Sequence, residues 1–437
     1  MDPQLYGVLG FVALVVLIAL RMPIAFALLL SGVAGVVALA GPDAGWNTIA
    51  ASLYSGVASF TWTAVPLFLL MGYFAYHAGL TSKAFEVASL WLNRLPGGLA
   101  MATVSACALF GACSGSGIAA AGALGRITIP EMLQRGYDKK LATGCIAAAA
   151  TLAVLIPPSI LLVIYAVFVQ ESIGRLLVAG YVPGLISALL LMAMIYVRVK
   201  LNPRLAPAIT TPVSWRQRLA GLGGSWGILV LILAVMGGIY SGFVTATEAA
   251  AVGALAALVL MTLQGALNWP NFRESIFDTA RTSSMLFLLI IGASVFSTFM
   301  ALSGLPDLLV SIIVSGNMSA HGVIAIVIVV YLFLGCFMDS TSIMLLTLPV
   351  LLPVLIKLQI NLVWFGIIVV KLSEMGAITP PFGITVYVVK GVVGDAIALE
   401  DIFRGIGWFL VVEFVTLLLL VFIPQLSLFL PNTMLGR

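Results

Sequence analysis

Gly111–Pro130 reads GACSGSGIAAAGALGRITIP, and Gly335–Pro353 reads GCFMDSTSIMLLTLPVLLP. Each is followed by a double proline, in TLAVLIPPS at Thr151–Ser159 and in EMGAITPPFG at Glu374–Gly383. One spacing relates the two sets: Cys113 and Cys336, Pro130 and Pro353, Pro157 and Pro380, and Pro158 and Pro381 each lie 223 positions apart. In both halves a small or polar cluster interrupts apolar sequence, and Pro-Pro then breaks a helix. In a membrane chain, a duplicated and interrupted pattern of this kind points to a transporter binding site.

Composition decides the solvent. Hydrophobic residues make up 62% of the chain and charged residues 8%, and the mean hydropathy is +1.20. A soluble domain carries roughly 25% charge, so this chain belongs in lipid. Its formal charge of +4 comes from basic residues in short loops, which implies no nucleic-acid partner. Only Asp2, and no basic region, precedes the first apolar run, so no cleavable leader is expected. The four cysteines, Cys107, Cys113, Cys145 and Cys336, lack metal-ligand spacing and read as buried small hydrophobes.

A spanning helix needs about 20 apolar residues. Uninterrupted runs predict crossings near 4–20, 23–41, 63–80, 142–169, 173–197, 226–243, 246–264, 282–300, 361–393 and 403–430. Residues 95–130 and 320–356 are long enough to enter and leave the bilayer, yet each is polar or glycine-rich at its centre. Both read as re-entrant hairpins, whose tip backbone must be satisfied by protein or a water-filled cavity. The loop 198–218 carries Arg198, Lys200, Arg204, Arg216 and Arg218 without an acid, and is cytoplasmic by the positive-inside rule. Arg94, Arg126, Arg135, Lys139 and Lys140 put the ends of hairpin 1 on the same side. An odd number of predicted crossings then brings hairpin 2 in from the opposite face. The expected fold is therefore an all-α polytopic membrane protein with two inverted repeats.

Two segments, Thr81–Arg94 and Gln264–Arg281, mix apolar, charged and tryptophan residues, as amphipathic helices in the cytoplasmic interface do; a solvated loop is the plainer alternative. The expected organisation is N-terminal scaffold helices over 1–62 and repeat 1 over 63–200, with hairpin 1 and a helix broken at Pro157 and Pro158. The loop, further scaffold helices and second arm fill 201–281. Repeat 2 occupies 282–437, with hairpin 2, a helix broken at Pro380 and Pro381, and the terminal helix.

The hairpin 1 tip, Ser114-Gly115-Ser116-Gly117, combines hydroxyls with residues free to turn carbonyl oxygens toward one point. Such an all-oxygen setting suits Na⁺; close helix packing through small residues is the plainer reading. Hairpin 2 offers Asp339, Ser340, Thr341 and Ser342 at the matching place. Asp339 is an ionisable group in an apolar span, costly unless paired. A bound cation would support it, and so would capping of the following half-helix; the two roles are compatible. Gly376 and Thr379 stand at the second break, and Thr151 and Ser159 flank the first. The sodium candidates are thus Ser114, Gly115, Ser116, Gly117, Pro157, Asp339, Ser340, Thr341, Gly376 and Thr379. Ser116, Pro158, Ser159, Ser340, Ser342, Pro380 and Pro381 line the expected substrate crevice.

Other polar residues read more modestly. Thr245 and Glu248 have capping-box spacing. Lys371 and Glu374, a turn apart, either pair or face the crevice, and Glu413 in the last span suits an ion pair with a partner subunit. His77 and His321 have no second ligand, so no transition-metal site is expected. The tip serines lack a positioned base, which argues against an enzyme.

At RMPIAFAL (Arg21–Leu28), GACSGSGIA (Gly111–Ala119), RGYDKK (Arg135–Lys140), IPPSI (Ile156–Ile160), FVTATEAAAVGA (Phe243–Ala254), GCFMDSTSIMLLTLPVLLPV (Gly335–Val354) and GAITPPFGI (Gly376–Ile384) the chain resembles the large membrane subunit of TRAP transporters, the DctM-like family. These phrases span nearly the whole chain in order; Gly125-Arg126 departs slightly from the small residues usual at that point. The resemblance implies a Na⁺-driven importer of organic acids in the bacterial inner membrane, with no organic cofactor. It also implies an elevator motion and two partners, a periplasmic substrate-binding protein and a small membrane subunit of about four helices, expected here as a separate polypeptide. A stand-alone Na⁺–dicarboxylate symporter of the related two-hairpin type would carry Ser-Asn-Thr tips, whereas these read Ser-Gly-Ser and Asp-Ser-Thr.

Overall fold

Apolar runs without interior breakers become helices, and no residue among those described is in a strand. The computed structural model describes residues 2–55, 57–207 and 213–434. Among the described residues six helices are long and apolar enough to cross a membrane: Ile173–Leu201, Trp215–Ser241, Ala246–Leu263, Trp269–Ser303, Ser340–Lys357 and Leu399–Phe422. Two bent pairs bring the total to as many as eight: Phe60–His77 with Leu80–Leu92, at 64°, and Lys139–Leu155 with Ile160–Phe168, at 43°. The first two predicted crossings are the 17-residue helices Pro3–Ala19 and Ile24–Ala40, near the short limit for a span.

The two hairpins have the expected helix–tip–helix form. Hairpin 1 is Gly98–Ser114 followed by Gly117–Gln134. Hairpin 2 is Ala320–Gly335 followed by Ser340–Lys357. Both double prolines interrupt their helices, between Leu155 and Ile160 and between Gly376 and Ile384, and both Pro-Pro bonds are cis.

The two expected interfacial arms part company. Leu80–Leu92 is a separate helix, turned away from its predecessor after Gly79. Gln264–Arg281 is not a separate helix. Its residues from Trp269 onward are the first turns of a 35-residue helix that runs unbroken to Ser303. The physical reason is local: from Asn271 to Ile291 there is neither proline nor glycine, so nothing stops helix propagation. The two segments still meet, because Lys83 Nζ donates to Gln264 Oε1 at 2.6 Å.

The chain divides into two compact units. The first comprises Met1–Thr63, Ala280–Val330 and Thr341–Leu362. Its core forms where Gly10 and Gly35 admit the Phe299 ring, 2.2 Å from where either would carry a β-carbon, and where Gly32 lies against the Phe296 backbone. The second unit comprises Ala64–Thr279, Tyr331–Ser340 and Val363–Arg437. It contains hairpin 1, both helix breaks and the end of the first arm of hairpin 2. Small residues again set the packing: Gly144 and Gly405 let Lys139–Ala149 and Leu399–Phe422 approach through their backbones. Trp364 Nε1 donates to the Leu420 carbonyl at 2.7 Å, tying the second broken helix to the last long one. The Thr245–Glu248 capping box forms as its spacing predicts, with Thr245 N donating to Glu248 Oε2 at 2.8 Å.

Candidate functional site

The tip of hairpin 1 turns because Gly115 takes a left-handed conformation (φ 61°), which a side chain would resist. Ser116 is extended and caps the second arm, its hydroxyl accepting from Ala119 N at 3.3 Å. The neighbouring Ser114 behaves differently. Its Oγ is buried and has no hydrogen-bond partner among the described residues. A buried hydroxyl without a partner is uncommon and calls for a ligand, ion or water. The first helix break lies against the next residue: the Pro158 carbonyl oxygen lies 2.8 Å from where Gly115 would carry a β-carbon. Pro157, Pro158 and Ser159 are all buried, and Ser159 caps the helix that resumes at Ile160 by accepting from Leu162 N at 3.3 Å.

The second break meets hairpin 2 in a similar way. Gly335, at the end of the first arm, approaches Gly376 so closely that a β-carbon on either would fall 2.5 Å from the other's Cα. Cys336 Sγ contacts the Pro380 carbonyl at 3.2 Å, and the Phe337 and Phe382 rings stand 5.2 Å apart. In the first repeat a β-carbon on Gly111 would fall 2.4 Å from the Ala153 Cα; Ala153 and Gly376 are themselves 223 positions apart. Each hairpin therefore docks its first arm on its own broken helix through residues without bulk. Thr379 donates its hydroxyl to the Met375 carbonyl at 2.6 Å, which leaves the oxygen's lone pairs free to accept.

Asp339 directly precedes the second arm of hairpin 2, where a capping residue stands, and is half-buried. Ser340, Thr341 and Ser342 form the first turn of that arm, with Ser342 buried. Ser340 Oγ donates to Glu374 Oε1 at 2.7 Å. The other carboxylate oxygen of Glu374 lies 2.9 Å from where Gly117 would carry a β-carbon. One carboxylate thus stands beside the second arms of both hairpins. Glu374 was legible in sequence only as an acid a turn from Lys371; its part at the tips depends on the helix break that follows it.

Lys371 does not pair with Glu374. Its ammonium is bound by Glu413 and donates to Ser187 Oγ at 3.0 Å, while Thr151 Oγ1 donates to Glu413 Oε1 at 3.4 Å. Glu413 is fully buried, so the expectation that it awaits another subunit is corrected: its partner is internal. The pair links the break region at Thr151 to the helix entering the second break. No group of three or more His, Cys, Asp or Glu residues suited to a metal ion occurs among the described residues. The four cysteines are unbridged and buried.

The sequence pattern of the "Tripartite ATP-independent periplasmic transporter, DctM component" family matches residues 11–426. The C4-dicarboxylate TRAP transporter large permease protein DctM of Pseudomonas aeruginosa is 35% identical over 390 residues, covering 88% of this chain and 90% of that protein. The sialic acid large permease SiaM of Vibrio cholerae is 34% identical over 417 residues, covering 95% and 96%. The isethionate permease DctMQ of Oleidesulfovibrio alaskensis is 31% identical over 431 residues, which span 96% of this chain but 65% of that protein. Among solved structures, the YdaH transporter of Alcanivorax borkumensis superposes with a TM-score of 0.61 over 97% of this chain and 98% of that one; at 14% identity it speaks for the fold alone. With an all-helical fold, helices able to span the bilayer and a sequence matched almost from end to end, the chain belongs to the DctM family, the large permease of TRAP transporters, inner-membrane secondary transporters that work with a binding protein and a small membrane subunit.

Proposed function

We propose that this permease imports an organic anion, handed over by a periplasmic binding protein and driven by an inward Na⁺ gradient. The observation that carries the sodium reading is the buried, unpartnered Ser114 hydroxyl, next in the chain to Gly115, which the Pro158 carbonyl approaches. A hard monovalent cation prefers such an oxygen set, and the broken helices supply partial charges beside it. Asp339 and Ser340 with Gly376 and Thr379 form the second sodium region. Ser116, Pro158, Ser159, Pro380 and Pro381 border the substrate crevice.

The anion is a carboxylate or a related acid. No Lys or Arg occurs in either tip or beside either double proline, so its negative charge is met by hydroxyls, backbone N–H groups and bound cations. Relatives named for C4-dicarboxylates, sialic acid and isethionate support an acidic cargo. The two hairpins and broken helices, within 63–200 and 282–437, move as a block against the scaffold of 1–62 and 201–281, braced by a small membrane subunit.

The test is uptake into liposomes containing both membrane subunits, with binding protein and radiolabelled acids outside. Accumulation is expected with an inward Na⁺ gradient and not with a proton gradient alone. Uptake that follows protons in the absence of Na⁺ overturns the coupling.

A further inference from the structure

Glu374 is the acid that the sodium regions proposed above leave out, although its carboxylate accepts a hydrogen bond from a tip hydroxyl. One of its oxygens accepts from Ser340, the first residue of hairpin 2's second arm. The other faces Gly117, the first residue of hairpin 1's second arm, at a distance where a methyl group would already collide. Glu374 is 6% exposed and sits one turn before the second break. Its position is fixed from behind by the Gly335–Gly376 contact, which leaves that stretch of backbone little freedom.

We infer that Glu374 is a positioning residue that ties the two hairpin tips together, so that cation occupancy at one tip is transmitted to the other. The carboxylate holds Ser340 by a charge-assisted hydrogen bond, stronger than a neutral one. Any shift of Ser340 toward a cation pulls on the same carboxylate that abuts Gly117. Movement of hairpin 1 at Gly117 pushes on it from the other side. Two sites that bias one shared element are coupled, and the coupling is reciprocal. This inference rests on the proposed sodium coupling and goes beyond it, since two independent sodium sites would serve that reading equally well.

The experiment is Na⁺-dependent uptake by the reconstituted complex at saturating binding protein, comparing wild type with Glu374→Gln, Gly117→Ala and Ser340→Ala. Wild-type uptake is expected to rise sigmoidally with Na⁺. Glu374→Gln keeps the shape of the side chain and loses the charge; its curve is expected to become hyperbolic, with half-saturation raised about 5-fold or more. Gly117→Ala leaves both partners chemically intact but displaces the carboxylate, and the same loss of sigmoidicity is expected. In the Ser340→Ala background Glu374→Gln is expected to add little, because the bond is already gone. Sigmoidal wild-type uptake that persists in both Glu374→Gln and Gly117→Ala overturns the inference and leaves sodium coupling standing. If Glu374→Gln fails to assemble, Ser340→Ala decides, and an unchanged sigmoid there overturns it. Uptake by wild type that ignores Na⁺ overturns the underlying reading instead.

Discussion

Lys371 and Glu413 put opposite charges inside apolar helices, where either alone costs at least a few kcal/mol. Both are essentially inaccessible, at 2% and 0% exposure, and Ser187 and Thr151 complete their hydrogen bonding. Removing one partner strands the other, so Glu413→Gln should lower stability by about 3–5 kcal/mol. The double change Lys371→Met with Glu413→Leu should recover much of that loss. Thermal unfolding of the purified membrane complex in detergent checks both, and equal melting of wild type and the two variants refutes the assignment. Asp339 calls for a different substitution. If its charge supports a bound cation, Asp339→Asn should raise the Na⁺ needed for half-maximal uptake while assembly is unchanged. If Asp339 only caps the arm, Asn should serve nearly as well, and the sodium curve should match wild type.

Elements in this fold are positioned by missing side chains. Gly335 on Gly376, and Gly111 on Ala153, let a hairpin arm lie directly on a broken helix. An added methyl at Gly335 has backbone, not a flexible side chain, in its way, so Gly335→Ala should cost roughly 1–3 kcal/mol through overpacking. Gly223 is the matched comparison, since it sits in helix Trp215–Ile232 with open space around it. Gly223→Ala should be neutral or slightly stabilising, because alanine favours the helix. Equal melting temperatures for the two variants would show that the close approach is not structural. The long helix Trp269–Ser303 carries a related lesson. Its amphipathic start resembles an interfacial segment when composition alone is weighed, yet continuity is decided by the absence of a breaker.

At the scale of the whole molecule, a block carrying two inverted hairpins should change solvent access at its tips in opposite senses. Single cysteines at Ser116 and Ser340, in a background lacking Cys107, Cys113, Cys145 and Cys336, provide the measurement. Membrane-impermeant thiol reagents added from each side, with and without Na⁺ and substrate, should label the two positions reciprocally. Labelling of both tips from the cytoplasm alone refutes the sliding block.

Apolar runs, proline pairs and the Ser-Gly-Ser and Asp-Ser-Thr tips are local signals, and local signals determined the helices, both hairpins and both breaks. Each depends on residues a few positions apart: a chain that runs apolar becomes helix, and Pro-Pro ends it wherever the chain lies in space. The spacing of 223 could be counted without coordinates for the same reason. Tertiary structure alone decided who meets whom. Lys371 had an acid one turn away in Glu374, yet it pairs with Glu413, 42 positions on, because the last long helix packs there. Glu374 was thereby released to Ser340 and Gly117, and the Ser114 hydroxyl was left buried without a partner. Partner choice among buried polar groups is set by which helices approach closely, and that depends on the summed packing of small residues far apart in the chain.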